Sequence, residues 1–149
     1  MGDLRSVLAF RSALAMADAV MIASPEYAHG ITGVLKNALD WVVGSGEFSG
    51  KPVALINASL RSVHAHESLT EIIRTMDATI IPEASLRIPL PGNRISAEEI
   101  SADPLLCGLL ETALQALISV VSNRPDLQID QAANARLPEL ALLRHNVVG

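Results

Sequence analysis

Two short stretches of this chain carry residue types that can do chemistry. Ser24, Pro25, Glu26, Tyr27, His29 and Gly30 follow one apolar run; Ala58, Ser59 and Arg61 follow another. No serine, histidine and acid fall into a nucleophilic pattern. His64 and His66 are two apart, a spacing that does not bring two ligands together on a helix, so no metal site is expected. Cys107 sits in a leucine-rich stretch and reads as a small core or flank residue. No catalytic side chain is therefore assigned. The two stretches bind a ligand only if both lie beyond the carboxyl ends of parallel strands, where open α/β sheets place their sites.

The flanking pattern supports that placement. Residues 19–23 (AVMIA) form a continuous apolar run, read as a strand covered on both faces. Residues 52–57 (PVALIN) form a second such strand, and residues 79–81 with 85–88 a third, shorter region. Helices are expected over 4–16, with Leu4, Val7, Leu8 and Ala15 on one face, over 32–43, and over 64–76. Asp103-Pro104 caps a further helix running to about Val121, with Leu105, Leu106, Leu109, Leu110, Ala113, Leu114, Leu117, Ile118 and Val121 on its core side. Alternation of helix and strand argues for an α/β sandwich with a parallel sheet. Residues 1–124 read as the domain and 125–149 as a more polar tail, with one short helix near 138–144.

Composition narrows the class. Half of the 149 residues are apolar and 18% are charged, enough for a buried core. The net charge of −5 and the lack of a basic run argue against nucleic acid as a partner. No apolar run is read as long enough to span a membrane, and no signal peptide is apparent. The single cysteine favours a reducing, cytoplasmic location. The helix at 32–43 is apolar on most sides, with Lys36, Asn37 and Asp40 in one polar stripe. That is more apolar surface than one sheet face covers, so self-association through this helix is expected.

The stretch ADAVMIASPEYAHGITGVLKNALDWV is similar to the signature of the NADPH-dependent FMN reductases of the flavodoxin-like fold. The matching residues are Pro25, Glu26 and Tyr27, then Gly33, Leu35, Lys36, Asn37, Asp40 and Trp41; Phe48, Gly50, Lys51, Pro52 and Val53 match ahead of the second strand. The resemblance extends more loosely over residues 4–122. It implies FMN and NAD(P)H as cofactors, a three-layer sandwich, homo-oligomers, and a small-molecule acceptor such as a flavin, quinone or azo compound. It also implies that main-chain groups around Pro25, Glu26 and Tyr27 line the flavin ring. Hydride then passes from nicotinamide to flavin N5, chemistry that belongs to the cofactor. Tyr27 is then either a ring contact or a surface tyrosine. His29 is either a ligand contact or simply exposed, and Glu26 either a contact or a solvated carboxylate contributing only its backbone. Arg61 either holds a nicotinamide phosphate or is a surface arginine.

The chain departs from that pattern in three places. Ala28 stands where asparagine is common, and residues 57–61 are not glycine-rich. The family's first strand, phosphate loop and second strand are not found ahead of Leu4. The resemblance therefore implies a sheet lacking those parts, with the 19–23 strand as an open edge. A truncated, non-catalytic chain keeping only the oligomerisation surface is the alternative expectation.

Overall fold

The computed structural model describes residues 4–59, 62–88, 90 and 95–124. The expected tail and its 138–144 helix lie outside these residues, as does Arg61. Five helices, α1 (Leu4–Met16), α2 (Gly33–Asp40), α3 (His64–Thr75), α4 (Ala97–Ala102) and α5 (Pro104–Ser122), and four strands, β1 (Val20–Ala23), β2 (Pro52–Asn57), β3 (Thr79–Ile80) and β4 (Leu86–Arg87), alternate as far as β3, after which β4, α4 and α5 follow.

β2 organises the sheet. It is buried at all six positions, as its unbroken apolar sequence requires. β1 pairs with it in parallel, Val20 opposite Val53 through Ala23 opposite Ile56. Along its other edge, β3 pairs with Pro52 and Val53 while β4 pairs with Ile56 and Asn57, also in parallel. β3 and β4 are thus one strand interrupted by a short 3-10 turn at Pro82–Ala84. The interruption would leave a buried ladder amide without an acceptor. The Ser85 hydroxyl fills the gap: it accepts the Leu55 N–H at 3.0 Å and donates to the Ile81 carbonyl at 2.8 Å.

Helices cover both faces. On one, Leu14, Leu39, Val42, Leu69 and Ile73 pack with Ile22, Val53 and Leu55 around the buried ring of Phe48. On the other, Leu117 meets Ala54, and Leu106 meets Ile56 and Ile88. Thr32 caps α2 by accepting the Leu35 N–H. Asp103 caps α5 through the amides of Leu105 and Leu106, with Pro104 in the first turn, as expected. Two contacts pin α1: Arg11 Nε donates to Glu47 Oε1 at 2.6 Å, and Lys51 Nζ donates to the Ala17 carbonyl just past its C-terminus. The Ser45 hydroxyl and then Arg11 hold the Glu47 carboxyl below the ordinary carboxylate range.

Four expectations are corrected. β1 is not covered on both faces: Ile22 is buried, but Met21 and Ala23 are exposed, because α5 lies over β2 rather than over β1. Among the described residues no strand pairs with its far edge. α1 buries Leu14, with Val7 and Arg11 half-buried beside it, and leaves Leu4, Leu8 and Ala15 exposed. On α5, Leu106, Ala113 and Leu117 are buried, but Leu105, Leu114 and Ile118 are exposed. Finally, α5 is long and apolar enough, by length and composition, to cross a membrane, with Glu111 its only charge. It lies along the sheet through Ala113 and Leu117.

Removing the Ser85 hydroxyl leaves the Leu55 amide buried without an acceptor. Ser85→Ala is expected to cost about 1–3 kcal/mol in chemical denaturation; an unchanged midpoint would contradict this account of the strand break.

Candidate functional site

The parallel register places the ends of β1 and β2 side by side, so the loops after Ala23 and Asn57 leave the sheet together. Ser24, Asn57, Ser62, Ala65 and His66 line one small cavity between them, of about 10 Å³. That is about one water sphere, too small for a ring system.

The first loop is a tight turn. The Tyr27 N–H donates to the Gly30 carbonyl at 3.0 Å, and the Gly30 N–H returns the bond to the Tyr27 carbonyl at 3.0 Å. The two central residues, Ala28 and His29, both have positive φ, 49° and 59°. This is the backbone of a type I′ turn, which favours asparagine and glycine. Placing two other side chains there costs roughly 1–2 kcal/mol per residue. The Tyr27 main chain is thus spent within the turn, and Pro25 has no N–H. Among the described residues no partner falls on the amides of Glu26, Ala28 and His29. Ser24 is half-buried and its hydroxyl donates to the Pro25 carbonyl at 3.2 Å. Tyr27 is 67% exposed.

The second loop is organised by Asn57, the one buried polar side chain among the described residues. Its Nδ2 donates to the Ser62 carbonyl at 2.5 Å, and its Oδ1 accepts the Ser59 N–H at 3.1 Å. Ala58 and Ser59 are half-buried. The Ser59 amide is thereby committed to the loop itself.

Glu26 joins the first loop to the start of α3. Its Oε2 accepts the Ala65 N–H at 2.9 Å, in the first turn of α3. Its Oε1 lies 3.3 Å from His29 Nδ1. The His29 ring, itself exposed, meets His64 edge-on at 4.7 Å between centroids. The Glu26 side chain is only 11% exposed, so it is not a solvated loop carboxylate. Asn57, His64 and the Ala65 amide are parts of this arrangement that sequence reading did not assign. Only the N-terminal position of Ala65 on an expected helix signalled its need for an acceptor. His66 lies beside the cavity; burial first, and then the Arg87 charge, push its pKa down, against a smaller opposing effect of Glu67.

A parallel sheet layered by helices, with its candidate site built from main-chain groups at adjacent strand tips, defines an α/β scaffold of the flavodoxin-like, ligand-binding kind. The chain belongs to the NADPH-dependent FMN reductase family, whose sequence model matches residues 2–90. It is 34% identical over 113 residues to an NAD(P)H-dependent FMN reductase of Pseudomonas aeruginosa, covering 72% of this chain and 61% of that one. It is 31% identical over 123 residues to an NADPH azoreductase of Bacillus sp. (strain OY1-2), covering 79% and 66%. It is 34% identical over 95 residues to a 2-hydroxy-1,4-benzoquinone reductase of Burkholderia sp., covering 60% and 52%. The chain thus spans between half and two thirds of the length of these relatives. A flavoenzyme NAD(P)H:(acceptor) oxidoreductase from Paracoccus denitrificans shares the fold, with a TM-score of 0.58 at 24% identity over 79% of this chain and 68% of that one.

The Ala65 N–H, foremost, holds the Glu26 carboxyl below the ordinary carboxylate range; burial opposes it, and His29 and His64 add to the depression. Such a contribution is fully present above the unfolded-state value and is lost as pH falls through the depressed folded-state value. At neutral pH the wild type is expected to melt above Glu26→Gln, with the gap closing as acid protonates the carboxyl. Melting scans across a pH series check this, and a gap that persists in acid would contradict it.

Proposed function

We propose that this chain provides the flavin-binding surface of an NAD(P)H-dependent FMN reductase that passes electrons to flavin, quinone or azo acceptors. The observation that carries this reading is the strained turn at the tip of β1, with the amides of Glu26, Ala28 and His29 left without partners among the described residues. Strained backbone of this kind clusters at ligand sites. The relatives named for FMN, azo and benzoquinone reduction support the reaction class.

In this reading the edge of the flavin ring rests on Ser24, Pro25, Glu26, Tyr27, His29 and Gly30, with Ala58 and Ser59 alongside. Bound FMN would supply the hydride-accepting ring. The protein would supply fixed amides facing the ring edge where negative charge develops on reduction, at no cost of reorganisation. Tyr27, exposed beside these amides, would cover the ring and limit water. The ring fits the turn in this respect. The phosphate has no matching anion site at the N-terminus of α3, because Glu26 already occupies its first turn. We place the protein in a reducing, cytoplasmic compartment, in keeping with its single cysteine.

Titration of the purified protein with FMN tests the reading. Saturable quenching of flavin fluorescence and FMN-dependent oxidation of NAD(P)H are expected, with Tyr27→Ala weakening FMN binding about ten-fold, or ~1.4 kcal/mol. A chain that neither quenches nor retains FMN would contradict it and favour the non-catalytic alternative.

Self-association through α2 is the second part of the proposal. Val34 is 84% exposed, Trp41 52% and Val43 55%. Beside them a groove of about 200 Å³ runs between α2 and α3, lined by Leu39, Val43, Ile72 and Met76 with Lys36 and Glu71 at its rim. Lys36 and Asp40 pair within the helix, leaving the apolar surface as the contact to be covered. Sedimentation velocity is expected to show a dimer or larger species that Trp41→Glu dissociates; a monomer at every concentration would overturn this part.

A further inference from the structure

α3 starts without a local cap. Its N-cap position is Val63, which makes no side-chain cap hydrogen bond and has no acceptor to offer. The leading amides of a helix need acceptors or water, and a missing cap costs about 1 kcal/mol. Here the acceptor comes from 39 positions away, as the Glu26 carboxylate on the Ala65 amide. The same carboxylate reaches His29, whose ring rests against His64 of the same first turn. The turn is therefore tied to α3 at two points, and the tie restrains two residues whose backbone is strained.

We propose that Glu26 is a positioning residue. Its carboxylate serves as the cap that α3 lacks, locks the Pro25–Gly30 turn against that helix, and so fixes the direction in which the turn's amides face a ligand. The side chain, not only the main chain of Glu26, then sets the site. It also fills the anion position at the N-terminus of α3 from within the protein. For the identity of the ligand this inference rests on the flavin reading above; the lock itself does not.

The test compares wild type, Glu26→Ala, Glu26→Gln and Glu26→Asp in two measurements. In the ligand-free protein, amide hydrogen exchange read by NMR is expected to become about ten-fold faster at Ala65, Tyr27 and Gly30 in Glu26→Ala. Amides in the middle of α5 should be unchanged. Glu26→Gln keeps an acceptor oxygen and recovers part of the Ala65 protection. Glu26→Asp keeps the charge on a shorter arm and does not. In flavin titrations the FMN dissociation constant rises about ten-fold in Glu26→Ala and returns towards wild type in Glu26→Gln. Unchanged exchange at Ala65 in Glu26→Ala overturns the lock. Faster exchange with unchanged FMN affinity overturns the positioning role. Should the wild type bind no FMN, the flavin reading falls, and exchange at Tyr27 and Gly30 alone upholds or overturns the lock. Should Glu26→Ala not fold, Glu26→Asp must show the same faster exchange, and its failure to do so overturns the proposal.

Discussion

The site depends on the burial of β2. A strand with every residue buried has one register that satisfies both its faces, because a shift of one position would turn Ala54 and Ile56 to the face built around Phe48. Burying Val53 and Leu55 contributes roughly 1.5–3 kcal/mol each, and β1 pairs alongside over four residues. Once that register is set, the chain leaves β1 at Ser24 and β2 at Ala58 at the same level. The meeting of the two loops is thus a consequence of the core.

What the loops then build is mainly backbone geometry. Two left-handed residues, a reciprocal pair of hydrogen bonds between Tyr27 and Gly30, and the Asn57 side chain that braces the second loop are all fixed before any ligand arrives. A family whose reaction is carried by a redox cofactor needs little more from its protein than such fixed donors and an apolar scaffold behind them. In the proposed function, that is why no acid, base and nucleophile constellation is required.

The sequence made the frame legible where a local rule was strong. The apolar run 52–57 named β2, and Asp103-Pro104 named the start of α5. It was less informative where burial depends on a neighbour. The apolar stripes of α1 and α5 are wider than the sheet they rest on, so Leu8 and Leu114 are exposed although their periodicity reads as core. α4 was missed although Ser96 and Glu99 form a capping box, because six residues are too few to show a helical period. The Glu26 contact had no local signal. It joins residues far apart in the chain, so from sequence Glu26 reads equally as a ligand contact or as a solvated carboxylate.

The central claim is that the turn at the tip of β1 presents its main chain to a planar redox ring. Chemical-shift mapping of the amide spectrum during FMN titration tests it most directly. The account predicts that the largest shifts fall on Glu26, Ala28 and His29, with smaller ones at Ala58 and Ser59. Shifts centred instead on the groove between α2 and α3 or on the exposed side of α5, with the turn unmoved, would contradict it.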